Sequence, residues 1–165
     1  MDVKVFVPAI VGACFGALGW LCVGLFIARR AAARQAKNAG RAVYFELSMN
    51  RLAVRMASEY DAFTDLARSS FDRLLPELAT WLEPNELQTV VSAYAGHVGY
   101  EQLRSDQAVP EALRRQALAG ILAAQERAIA LVGARVFTAE ELRSIEAAEP
   151  TPTGEPAADV TRSSR

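Results

Sequence analysis

Histidine and cysteine are nearly missing from this chain. Among 165 residues there is one histidine, His97, and there are two cysteines, Cys14 and Cys22. A zinc centre needs several His, Cys or acidic ligands converging on one point, and no CxxC, HExxH or ExxH pattern is present. Both cysteines fall inside one apolar stretch, so they cannot staple a soluble domain, and nothing argues for an oxidising compartment. Also lacking are a GxGxxG turn, a phosphate loop ending in Gly-Lys-Ser/Thr, and a GxSxG nucleophile elbow. Ser69 and Ser70 have no histidine near them in sequence, and every acid–base scheme would have to recruit His97. No cofactor or metal is therefore expected, and an enzymatic role is not.

Charge is absent from residues 5–28, VFVPAIVGACFGALGWLCVGLFIA. At about 1.5 Å per residue this length crosses a hydrocarbon core of roughly 30 Å. The reading is an N-terminal transmembrane helix. It is too long for the apolar region of a secretory signal, and its strong charge cluster lies on the far side. Acidic residues are missing from the next segment, which carries Arg29, Arg30, Arg34, Lys37 and Arg41. That asymmetry predicts a cell-membrane protein with its N-terminus outside and its domain in the cytoplasm. The same five residues are candidates for lipid headgroup contact, making the bilayer the first expected partner. Gly12 and Gly16 form a GxxxG pair that would let two such helices pack, so the chain itself is a possible partner.

Residues 42–149 carry ten arginines against sixteen acids. This acidic balance argues against nucleic acid as a partner. The acids Glu59, Asp61, Asp65 and Asp72 cluster near one bend, yet they lack the loop spacing that hard cations require.

What the remainder does have is helical periodicity. Val43, Leu47, Asn50, Val54 and Ala57 share one face, with Asn50 as the polar member. The segment 60–81 predicts a short helix over 62–74 and a second beginning near Pro76, with Trp81 in the core. Pro84 opens a helix whose buried stripe is Leu87, Val90, Tyr94 and Val98, ending near Ser105. His97 on that helix is expected to be partly exposed and satisfied by solvent or Glu101. Pro110 opens another, with Leu118, Ile121 or Leu122, Gln125, Ile129, Val132 and Val136 at helical spacing. Thr138 and Glu141 form a capping-box pattern that predicts a last helix through Ala148. The Pro-, Gly-, Ser- and Thr-rich residues 150–165 predict a disordered tail.

The expected architecture is all-α: one N-terminal transmembrane helix continuing into a small cytoplasmic three- or four-helix bundle. Its divisions are a flank at 1–4, the span at 5–28, a basic juxtamembrane helix at 29–42, a helical domain at 43–149 and the tail. The function expected is a membrane-anchored, non-catalytic interaction or scaffold module with a protein partner, and Tyr44, Phe45 and Tyr60 are the candidate contacts. Two alternatives stay open: a subunit of a membrane assembly such as a sensor, transporter or pore-forming complex, and a small membrane-bound enzyme.

Overall fold

The computed structural model describes residues 3–106 and 108–148, with the backbone alone for residues 3–15, 17 and 146. Five helices are found among them: α1 (Val3–Tyr60), α2 (Ser69–Trp81), α3 (Pro84–Ser105), α4 (Glu111–Val136) and α5 (Ala139–Ala148). Helix α1 runs 58 residues without interruption, about 87 Å at the standard rise. No proline follows Pro8 until Pro76, so nothing in the sequence breaks its hydrogen-bond ladder. It ends at Asp61, whose φ of 53° turns the chain left-handed, a conformation that Asp tolerates better than most residues.

The C-terminal half of α1 is the axis of the bundle. Helix α4 packs antiparallel along it, α2 lies against it, and α3 packs on α4. Gly40 sets the depth of this packing. A Cβ there would stand 2.5 Å from Val136 Cγ1 and 2.9 Å from Trp81 Cζ3, so only glycine fits where α1, α2 and α4 meet. At Gly133 a Cβ would be tight but less so, 3.1 Å from Tyr44 Cε2 and 3.3 Å from Leu142 Cδ2. Val43, Tyr44, Leu47, Phe71, Leu78, Val90, Tyr94, Ile129, Val132 and Val136 form the larger core cluster. Val54, Tyr100, Leu103, Leu118 and Ile121 form a smaller one near the C-terminal end of α1. Trp81 is partly buried and packs on the larger cluster.

Two local expectations change. Residues 61–68 are non-helical, and α2 passes through Pro76 as one helix. Phe71 before the proline and Leu78 after it are both buried, and this burial on either side offsets the lost amide bond. On α3 the buried set is Val90, Ala93, Tyr94, His97, Tyr100 and Leu103, while Val98 is exposed. After Tyr94 the stripe advances by three residues, which turns His97 inward and Val98 outward. The Thr138 box is formed, with Glu141 N donating to Thr138 Oγ1 at 3.2 Å and Thr138 N donating to Glu141 Oε2 at 2.7 Å.

The all-α class holds, but the expected arrangement with an N-terminal transmembrane helix ahead of a three- or four-helix bundle is corrected. Among the described residues, the helix long and apolar enough to cross a membrane is α4, Glu111–Val136, near the C-terminus. Residues 5–28 run on unbroken into the rest of α1, the continuity expected from sequence, and the far end of that helix is the bundle axis. The physical reason for the mismatch is that length and composition do not say what an apolar helix is for. In α4, 39% of the most apolar stretch is buried inside the bundle, where its side chains face α1 and α3. The cell-membrane localisation, with the N-terminus outside and the domain in the cytoplasm, rested on an N-terminal span and is withdrawn with it.

Candidate interaction surface

The polar groups best suited to chemistry lie inside the bundle, and the fold uses them. Glu46 on α1 reaches across to the start of α2. Its carboxylate accepts hydrogen bonds from Ser70 N at 2.7 Å, Phe71 N at 3.1 Å, Ser69 Oγ at 3.3 Å and Tyr94 OH at 2.8 Å. The first amides of a helix have no partner within it, and Arg68 at the N-cap supplies no side-chain bond. Glu46 therefore caps α2 from another element. Burial by itself would raise its pKa, but the amides of Ser70 and Phe71 and the Tyr94 hydroxyl outweigh this and hold it below the ordinary carboxylate value. Burial, followed by the bond to Glu46, drives the Tyr94 phenol far above its usual range.

One turn along α1, Asn50 clamps the loop. Asn50 Nδ2 donates to Ala67 O at 2.7 Å, and Asn50 Oδ1 accepts from Ala67 N at 2.8 Å. His97 Nε2 lies 3.5 Å from Asn50 Nδ2. Burial first, then the nearby Arg68 charge, lowers the pKa of this ring, favouring the neutral imidazole. Glu101 faces Arg104 rather than His97, at 3.5 Å. Three of the four acids in the cluster form ion pairs: Asp61 with Arg114 at 3.2 Å, Asp65 with Arg104, and Asp72 with Arg68 at 2.8 Å. Among the described residues, no group of three or more His, Cys, Asp or Glu could hold a metal ion.

The outer side of α1 differs in kind. Phe45, Met49, Leu52, Met56 and Tyr60 are exposed, at 50, 66, 52, 40 and 67%. Their steps of four, three, four and four place them along one helix face. That face is opposite Val43, Leu47, Asn50, Val54 and Ala57, all of which are buried. The helix is thus apolar on two opposed sides, and only one is covered by the bundle.

Phe45 also borders an open groove of about 580 Å³, lined by Arg41, Phe137, Glu141 and Ile145 among others. Tyr44, Phe45 and Phe137 stand edge to face there, with ring centroids 4.9–6.0 Å apart. Of the contacts suggested by sequence, Tyr44 is buried in this trio, while Phe45 and Tyr60 face outward. Arg29, Arg30, Arg34 and Lys37 project from α1. Arg41 instead pairs with Glu141 at 2.9 Å and lies over the Phe137 ring. At Gly16 a Cβ would meet nothing within 4 Å, and the side-chain surroundings of Gly12 fall outside the described residues, as does the whole 150–165 tail.

Sequence reasoning missed Glu46, Met49, Leu52 and Met56. With Phe45 the last three carry a legible signal, a four–three–four alternation opposite the core stripe. Glu46 carries none, because its partners are 23 to 48 residues away. No protein-family model, curated protein or solved structure matches this chain.

Proposed function

We propose that the protein is a non-catalytic helical interaction module whose contact face is the outer row of α1. One observation carries this reading: Phe45, Met49, Leu52, Met56 and Tyr60 form a continuous apolar face that the bundle leaves uncovered. Large apolar residues scattered singly on a surface need no explanation, but a contiguous row is a feature of interaction sites. Aromatic and methionine side chains are enriched at the centres of such contacts. The interior supports the reading as well. Glu46 and Asn50 are occupied in holding α2 and the 61–68 loop, and His97 is buried beside Asn50.

The test is site-specific photo-crosslinking in cells expressing the full chain. A photo-reactive residue at Met49 or Leu52 should give discrete protein adducts. The same residue at Ser58, exposed on another side of α1, should give none. Leu52→Glu should abolish the adducts formed from Met49. Adducts that are absent, or equally strong from Ser58, would overturn the reading.

A further inference from the structure

We infer that the outer row of α1 pairs with the same row of a second copy of this chain, parallel and in register. The inference rests on the interaction reading above and names the partner.

The spacing is the first argument. Phe45, Met49, Leu52 and Met56 alternate by four, three and four residues, the seam of a two-stranded coiled coil. Counting back at the same alternation reaches Ala42, Asn38, Gln35, Ala31, Ala28 and Gly24, none of them charged. The basic residues Arg29, Arg30, Arg34, Lys37 and Arg41 occupy other positions in between. All of these seam residues are exposed except Ala42, which is half-buried; Ala31, Gln35, Asn38 and Ala42 border a groove shared with Arg73 and Leu74 of α2, and Gln35 Nε2 donates to Glu77 Oε1 at 3.4 Å. A period of seven kept free of charge through so basic a segment is what a partner helix of the same kind requires. Small residues on the N-terminal part of the seam would let two backbones approach closely.

Area is the second argument. An aromatic side chain buries roughly 150–250 Å² when covered, and Phe45 and Tyr60 stand half and two-thirds exposed. With Met49, Leu52 and Met56, two copies would bury on the order of 1,000 Å² from these rows, about the lower bound for a specific interface. The N-terminal seam adds to it.

Direction follows from what each arrangement leaves unpaired. An antiparallel pair centred on Leu52 would carry the residues before Ala42 past the end of the partner's α1 at Tyr60, and their seam would find no counterpart. A parallel pair matches the seam along its length. It sets Asn38 against its own copy, where a polar seam residue fixes register. It also brings Arg55 beside Tyr60 of the second copy, a cation near an aromatic face.

Disulfide trapping in freshly broken cells expressing the full chain tests this, with Cys14 and Cys22 replaced by serine. Single cysteines are placed at Phe45, Met49, Leu52 and Met56, with Lys37 and Ser58 as exposed positions off the seam. Under mild oxidation all four seam variants should form covalent homodimers and the two off-seam variants should not. Adding Met49→Glu to the Leu52→Cys variant should abolish its homodimer. Homodimers at Leu52 alone would mean antiparallel pairing and overturn the inference. Homodimers equally strong at Lys37 and Ser58 would overturn it as well. If no seam variant homodimerises while photo-crosslinks from Met49 still yield adducts with another protein, self-pairing fails and the interaction reading survives. If neither forms, both fail.

Discussion

At the scale of single residues, the interior polar groups set how this protein responds to mutation and acid. Glu46 accepts from two backbone amides and two hydroxyls. Glu46→Ala leaves those donors without their acceptor and removes the cap of α2. The expected loss is roughly 2–4 kcal/mol, because bonds to a charged acceptor are the stronger ones. Denaturant unfolding measures it, and Glu46→Gln, which keeps one acceptor oxygen, should lose less. On the acid side the pH dependence has the same sign for Glu46 and His97. His97 has a lowered pKa, so the unfolded state takes up a proton first. Its contribution is present above about 6.5, the ordinary histidine value, and is lost as pH falls through the folded value. Glu46, also lowered, adds a second loss as pH drops below the ordinary carboxylate range. Stability should therefore decline in two stages on acidification, and His97→Gln should remove the upper one. Gln125 is fully buried, and neither its Oε1 nor its Nε2 has a protein partner. An unsatisfied buried polar group costs about 1–3 kcal/mol, so Gln125→Leu should raise the unfolding midpoint.

At the scale of helices, close approach competes with propensity. Ala is better than Gly inside a helix by roughly 0.5–1 kcal/mol. At Gly99 and Gly120 an added Cβ would meet nothing within 4 Å, so Gly→Ala there should stabilise by about that amount. At Gly40 the same change drives a methyl group into Val136 and Trp81. Overpacking of this kind costs about 1–3 kcal/mol, and the net effect should be destabilising. Thermal unfolding of the three variants side by side checks the contrast in sign. Much of the helix layout was legible in sequence. Pro84, Pro110 and the Thr138 box mark real starts, and the α4 stripe through Leu118, Gln125 and Val136 is buried as its spacing implied. What misled was local punctuation. Pro76 looked like a start because its lost amide is visible in sequence. The burial of Phe71 and Leu78 that overrides it is not. On α3, choosing Val98 over His97 came from continuing a step of four where the buried stripe takes three.

At the scale of the whole molecule, α1 joins two surfaces. Its inner side organises the bundle, and its outer side carries an uncovered apolar row. If a second copy covers that row, unfolding must depend on protein concentration, since association stabilises by mass action. The midpoint of the full chain should rise with concentration, and that of a Met49→Glu, Leu52→Glu variant should not. Both substitutions lie on the exposed face, away from the core, so the variant keeps its fold.

Composition and periodicity alone determined that the fold of the described residues is all-α, where most helices begin, and which stripe of α1 and α4 faces inward. These follow from short-range rules of three to four residues, on which sequence is explicit. The tertiary structure alone decided that Glu46 caps a distant helix, that His97 is buried, and that a Cβ at Gly40 would crowd Val136 and Trp81. It also decided that 39% of the most apolar stretch of α4 lies buried inside the bundle. Each depends on contacts between residues far apart in the chain. An apolar side chain looks the same in sequence whether a neighbouring helix covers it or nothing does.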